Sequence, residues 1–246
     1  MKILMVKNLT KKFKGDVGIK NISFDVERGE IVALIGDNGA GKTTLIKTIL
    51  GEYEKDSGLV QFLDTNNREL HSDRIAFLPD QSSYPGDLSV GEYVKYFLML
   101  KNIKFDRKIF SAFEKEFKLE NVYRKKFNML SSGSVKKVLL IASLMSNADI
   151  YFLDEPTANM DVNSRKEFND IMRFMIGKGK TIILISHMLE ELDLIAKRVI
   201  LISDGNKVFD DTLSPNQRSR EVYEKFTNNK NNGTEGVKKI INSIKP

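Results

Sequence analysis

The 246-residue sequence predicts an α/β fold, with antiparallel strands near the N-terminus and a helical lobe inserted ahead of the last strands. Three observations predict it. Short β-branched or aromatic runs recur at 30–35, 149–153 and 181–185, the pattern of parallel strands buried on both faces. A glycine-rich segment joins the first of these runs to a helical stretch. From Ser89 the apolar period becomes helical, and strands resume only at Asp149.

Each element follows from local pattern. Ile3 to Val26 reads as short strands with basic turns; Ile22, Phe24 and Val26 alternate with Asn21, Ser23 and Asp25. Arg28-Gly29 is a turn before the buried run. A helix is expected from about Gly41 to Leu50, stopped by Gly51. Residues 58–63 and 74–78 read as two further strands. Val90, Val94, Phe97 and Leu98 share one face of a charged, aromatic-rich helical stretch that is expected to run to about Phe127. An ordinary run of crossover helices is the blander alternative to a lobe. Val199–Ser203 and Lys207–Phe209 flank Asp204-Gly205-Asn206, a terminal hairpin. The expected boundaries are a domain over 1–227, with its core at about 1–81 and 129–210 and its lobe at about 82–128. A tail, 228–246, follows; Val237, Ile240, Ile241 and Ile244 fall on one face of a possible short basic helix. A ten-residue helix is marginal alone, so packing on its own domain, or fraying, outweighs membrane contact.

Composition narrows the function. Apolar residues are 41%, enough for a packed core. No apolar run approaches the ~18 residues of a membrane span, and none near the N-terminus suits a secretory signal, so a cytosolic location is expected. The absence of cysteine excludes disulfides, thiolate metal sites and cysteine nucleophiles. Two histidines, His71 and His187, make a histidine-rich metal centre an unpromising reading. The net charge of +6 comes with scattered lysines rather than a basic block. That favours an ordinary solvated surface over a polyanion site, and no nucleic acid is expected.

Gly36-Asp37-Asn38-Gly39-Ala40-Gly41-Lys42-Thr43 fits G-x-x-x-x-G-K-[ST] between an expected strand and an expected helix. Glycines allow successive backbone N–H groups to turn around phosphate oxygens, and the helix N-terminus adds unpaired donors and a positive dipole end. Lys42 supplies charge to the β- and γ-phosphates, and the Thr43 hydroxyl can ligate Mg²⁺. Asp154-Glu155 ends an apolar strand, where open parallel sheets bind their ligands. Asp154 can hold Mg²⁺ through water, and Glu155 can orient or deprotonate an attacking water. His187 follows another central strand, and can donate to the γ-phosphate; a structural histidine is the commoner case. Leu130-Ser131-Ser132-Gly133-Ser134 opens a helix, with Ser131 a suitable cap.

These residues resemble the ATPase domains of the ABC transporter superfamily over about residues 2–210. GDNGAGKTT at 36–44 looks like the Walker A loop, including Thr44; LSSGSVKK at 130–137 looks like the signature motif; IYFLDEP at 150–156 looks like Walker B with the catalytic glutamate. Ala158-Asn159-Met160-Asp161 resembles the D-loop, and Ser186-His187 the switch histidine. Phe13 stands where the family places an aromatic against adenine. The resemblance implies a RecA-like P-loop NTPase core, MgATP as ligand, and head-to-tail dimerisation with itself or a related ATPase. Ser131, Gly133 and Asp161 would then act across the dimer. Ser132 and Ser134 depart from the usual glycine and glutamine of the signature. In the Q-loop, Asp80 occupies the aligned position and Gln81 falls one residue late; Gln81 suits a metal and water better on chemistry, and both stay open.

The resemblance further implies separately encoded, polytopic membrane subunits that recruit the chain to the cytoplasmic face of the membrane. The 79–97 segment is most like ATPases of exporters for drugs, peptides or bacteriocins, and Tyr84, Tyr93, Tyr96 and Phe97 are expected around the groove that receives a membrane subunit. A soluble ABC ATPase acting on nucleic acid, ribosomes or cofactor assembly is the competing reading. One P-loop and no sustained heptads disfavour it. A GTPase is disfavoured by the lack of an NKxD motif.

Overall fold

The structure is a computed structural model that describes residues 1–15, 17–80, 85–158, 160–214 and 217–227. Gln81, Tyr84, Asn159 and the 228–246 tail, all singled out above, lie outside the described residues. Strands β1 (Lys2–Lys12), β2 (Gly18–Glu27) and β4 (Ser57–Phe62) form an antiparallel sheet in the order β2-β1-β4. A second sheet runs β5-β6-β7-β3-β8-β9, built from β3 (Ile31–Ile35), β5 (Ile75–Leu78), β6 (Ile150–Asp154), β7 (Thr181–Ile185), β8 (Arg198–Ser203) and β9 (Asn206–Thr212). Its first five strands are parallel, and β9 closes the edge as the expected hairpin with β8.

The apolar runs are uninterrupted because the central strands are covered on both sides. Val32 and Leu34 of β3, with Phe152 of β6 and Ile183 of β7, face the antiparallel sheet and meet Leu4, Leu9 and Ile22. Ala33 and Ile35 point the other way, with Tyr151, Leu153 and Leu184, into a second core. That core is completed by helices α2 (Val90–Leu100), α4 (Ser132–Met145) and α5 (Val162–Gly177). Helix α1 (Lys42–Ile49) buries Leu45, Ile46 and Ile49 in the first core, and the chain turns at Gly51 with φ 79°.

The stretch read as helical to Phe127 is not continuous. Ser89 opens α2 with a reciprocal capping box to Glu92, and the helix ends before Asn102, whose φ is 55°. Asp106 then caps α3 (Arg107–Glu116), after which Lys118 and Asn121 adopt positive φ and a 3₁₀ turn covers Phe127–Met129. Left-handed residues halt a helix even where the apolar spacing would extend it. Two short helices follow β7 and β9: α6 (Leu189–Ile195) and α7 (Ser219–Thr227).

Candidate active site

The site lies at the C-terminal ends of β3, β6 and β7, where the loop 36–41 leads from β3 into α1. The loop's shape needs glycine at two points. A Cβ on Gly36, at φ 149°, would sit 2.1 Å from the carbonyl oxygen of Ile202. One on Gly41, at φ 106°, would lie 3.0 Å from Cγ2 of Ile19. The loop is closed by hydrogen bonds from Ala40 N–H to Asp37 O and from Gly205 N–H to Ala40 O. Asn38, Gly39, Gly41, Lys42, Thr43 and Thr44 border a cleft of about 470 Å³.

Lys42 is nearly buried, and its ammonium turns back onto the carbonyls of Gly36 at 2.8 Å and Asp37 at 2.9 Å. Burial lowers its pKa; Glu155, Asp154 and Asp37 oppose that. The Thr43 hydroxyl donates to Asp154 Oδ2 at 3.0 Å. The strand pair β6–β7 thus sets Asp154 beside the loop across the sheet. Burial also raises the Asp154 pKa, against the Thr43 bond and the two lysines, Lys42 and Lys136.

Glu155 follows with φ 48°, held by its N–H to Ile185 O at 3.1 Å. Its side chain is 16% exposed, and Oε1 lies 3.1 Å from Nε2 of His187 without the alignment of a hydrogen bond, leaving that oxygen buried and unpartnered. Burial pushes the Glu155 carboxyl up to about 7. The His187 pKa is lowered, first by burial and then by the charge of Lys42, so the ring is neutral near pH 7. A desolvated carboxyl titrating near neutrality beside a neutral imidazole suits proton transfer from water. The residues fit MgATP on three counts: a glycine cradle that a Cβ would fill, paired Thr43 and Asp154 oxygens, and an orphaned carboxylate oxygen on Glu155, a residue that borders the cleft.

Most of the remaining candidates lie outside this cluster. Ser131 and Ser132 are exposed at the start of α4, Gly133 is half-buried, and none of the three borders the cleft. The Ser131 hydroxyl accepts from Ser134 N–H at 3.3 Å and donates to Ser134 Oγ at 2.9 Å. Asp161 caps α5 through Ser164 N–H at 3.0 Å and Ser164 Oγ at 2.7 Å, and these bonds hold its carboxyl at about 2. Phe13 stands exposed against the edge of the Tyr53 ring, 5.4 Å between centroids, and does not border the cleft. Asp80 does border it. Two residues of the site were not among the candidates read from the sequence. Tyr223 of α7 donates its hydroxyl to Asp37 Oδ1, and Lys136 of α4 reaches the carbonyl of Glu155. Only the second had a trace in the sequence, since Lys136 falls one turn after Gly133 among the apolar positions of α4.

Residues 19–158, more than half the chain, match the ABC transporter family. The chain belongs to that family. It is an ATP-binding subunit, an ATPase, as the relatives bear out. The SkfA peptide export ATP-binding protein SkfE of Bacillus subtilis is 31% identical over 92% of this chain and 95% of that protein. The Nod factor export ATP-binding protein I of Burkholderia orbicola is 30% identical over 82% and 68%. The ribose import ATP-binding protein RbsA of Clostridium tetani is 33% identical, but the chain spans only 46% of its length. Among solved structures, an ATP-binding subunit of an ABC transporter superposes with a TM-score of 0.76 at 26% identity, covering 86% of this chain and 90% of that one. A dimeric ATP-binding cassette in a post-hydrolysis state with ADP and Pi has a TM-score of 0.75 at 24% identity over 86% and 99%, a likeness of fold alone. The α/β class expected from the sequence is the one observed.

Proposed function

We propose that the 36–44 loop binds MgATP, that Glu155 acts as general base for its hydrolysis, and that the cycle drives export through a separate membrane subunit. The observation that carries the reading is the convergence of Lys42, the Thr43–Asp154 pair and the unpartnered Glu155 oxygen on one cleft. Lys42 leaves its two carbonyl partners for the β- and γ-phosphates, while loop N–H groups and the α1 N-terminus hold the remaining oxygens. Thr43 and Asp154 hold Mg²⁺, which neutralises charge on the phosphates when bound. Glu155, at about 7, takes a proton from the attacking water. Neutral His187 donates to the γ-phosphate.

Ser131, Gly133 and Asp161 complete the site of a second subunit. Their placement away from the chain's own cleft, with Ser131 and Asp161 exposed and Gly133 half-buried, supports this, because a phosphate contact from the start of α4 then needs another copy or a related ATPase. No helix among the described residues is long and apolar enough to cross a membrane. Membership of the ABC transporter family supports assigning the membrane-spanning part to a partner, and the ATPase to the cytoplasmic face. A groove of about 400 Å³ between the sheet edge and α2 is lined by Phe62, Phe77, Tyr93 and Phe97. Tyr93 and Phe97 stack at 6.1 Å, which suits an aromatic anchor for a partner segment. Tyr96 is 52% exposed and stands outside that groove. Export is favoured over import because the peptide-export relative matches along nearly its whole length.

The test is a pair of variants in the purified chain. Lys42→Ala should lose nucleotide binding, whereas Glu155→Gln should keep it and lose ~10²–10⁴-fold in turnover. Light scattering of Glu155→Gln with ATP should show a doubling of mass that disappears without nucleotide. Wild-type turnover in Glu155→Gln sinks the catalytic assignment, and a constant mass sinks the assignment across the dimer.

A further inference from the structure

We propose that Lys136 is a positioning residue for hydrolysis, pinning the backbone of Glu155 from within the same chain. The proposal rests on reading Glu155 as the general base. Its first support is burial: the Lys136 side chain has no exposed surface, and lysine is almost never fully buried unless paired. Its second is the choice of partners. The ammonium donates to the carbonyl oxygen of Glu155 and sits 3.4 Å from Oδ1 of Asp80, a carboxylate that is itself 53% exposed. A buried lysine serving only as counter-charge needs a buried carboxylate. This one pairs with an exposed carboxylate at 3.4 Å and also donates to a main-chain oxygen, which a counter-charge alone does not need.

That oxygen belongs to a residue whose conformation needs holding. Glu155 has φ 48°, a left-handed backbone that a side chain with a Cβ adopts only when its surroundings enforce it. Its N–H is fixed by Ile185 O at 3.1 Å. On the carbonyl side the other donor among the described residues is Ala158 N–H, at a long 3.3 Å. Lys136 therefore supplies the charged donor that fixes the peptide after Glu155, and so the direction in which the carboxylate leaves the chain. Catalysis by a positioned base tolerates little misplacement; an error of about 1 Å costs on the order of 10²-fold in rate.

The consequence concerns α4 as a whole. Its exposed start carries Ser131 and Gly133, while Lys136, one turn further, faces inward onto Glu155. One helix thus touches the nucleotide of a second subunit and the base of its own. A shift of α4 on dimer closure reaches Glu155 through Lys136.

The test uses the full chain with MgATP and the variants Lys136→Met, Lys136→Arg and Glu155→Gln. Lys136→Met should lower kcat by about 10- to 100-fold while KM and the Kd for a fluorescent ATP analogue stay within about two-fold. Lys136→Arg keeps a charged donor and should recover part of kcat. If Lys136→Met does not fold, Lys136→Gln is measured instead: its amide falls short of the carbonyl, and the same kcat loss is expected. Unchanged kcat in a folded Met or Gln variant overturns the proposal. So does a loss shared equally by kcat, nucleotide affinity and melting temperature, which marks Lys136 as merely structural. Wild-type turnover in Glu155→Gln removes the premise. A dead Glu155→Gln beside a fully active Lys136→Met removes this inference alone.

Discussion

Replacing Glu155 with glutamine should stabilise the nucleotide-free protein at alkaline pH, in the same variant that abolishes hydrolysis. The side chain is 16% exposed, and burial lifts its carboxyl from an ordinary 4.5 to about 7. Between those values the folded chain holds a proton that the unfolded chain has released. The stability this provides is present in full below pH 4.5 and is lost as pH rises through 7. At ~1.4 kcal/mol for each tenfold difference, the gap between the two values sets a ceiling of ~3 kcal/mol. Relaxation and water entry reduce the realised figure to ~1–3 kcal/mol. Glutamine is neutral at every pH and nearly isosteric, so it escapes this loss. For a chain of this size each kcal/mol moves Tm by ~2–4 °C. Calorimetry in EDTA, with neither nucleotide nor magnesium, should therefore find Glu155→Gln melting ~3–10 °C above the wild type at pH 8.5. Near pH 4.5 the advantage should be close to zero. A Tm difference that stays constant from pH 5 to 8.5, or a wild type that is the more stable at high pH, refutes the argument that burial governs this carboxyl.

The loop and the groove give two further expectations. Gly36→Ala places a Cβ 2.1 Å from the rigid carbonyl of Ile202, so the loop must separate from β8; a loss of ~1–3 kcal/mol in stability and weaker ATP-analogue binding should appear together in melting and fluorescence titrations. Phe97→Ala opens the aromatic groove beside Tyr93. It should leave basal ATPase unchanged and reduce its stimulation by the membrane partner in proteoliposomes, and full stimulation would place the docking surface elsewhere.

The parts of the site legible in the sequence are those whose physics is local. The strand–loop–helix unit at 31–49 is written in consecutive residues: apolar β3, glycines at the turns, then Lys42 and Thr43 opening α1. Asp154 needed one further rule, that ligands gather at the ends of parallel strands, and the order β6-β7-β3 brings it to Thr43. Strand order itself was not legible, since alternating buried faces look alike whichever neighbour covers them. The helical stretch was overextended because apolar spacing continues past Asn102 and Lys118, where a positive φ ends each helix. Tyr223 on Asp37 pairs residues 186 apart in sequence, and no periodicity announces such a contact. The same holds for Tyr93 against Tyr96: both are helical aromatics, and the rotation of α2 alone turns the first into the groove and the second to solvent.

Ser131 and Asp161 show where a legible residue still carries two meanings. Each is an N-cap by composition and by geometry, accepting from the backbone N–H of the residue three positions on. Capping satisfies donors that would otherwise point out of a helix end. Those same donors, with the positive end of the dipole, are what binds a phosphate. A helix start built to meet a nucleotide and one built merely to end cleanly thus draw on the same residue types, and motif spacing adds only resemblance. The surroundings distinguish them. Asp161 spends both carboxylate oxygens on Ser164 and is held at about 2, a closed local unit. Ser131 has a weaker 3.3 Å cap and an exposed neighbour in Ser132. Its hydroxyl is turned to the side chain of Ser134, which stands where the family's signature has glutamine. A γ-phosphate arriving from a second subunit has to displace only that Ser131–Ser134 contact, whereas at Asp161 it meets a carboxylate whose charge repels it. On the proposed dimer, this contrast favours Ser131 and Gly133 for the phosphate-facing role and leaves Asp161, whose two oxygens are already engaged by Ser164, for contacts with the other chain that do not touch nucleotide.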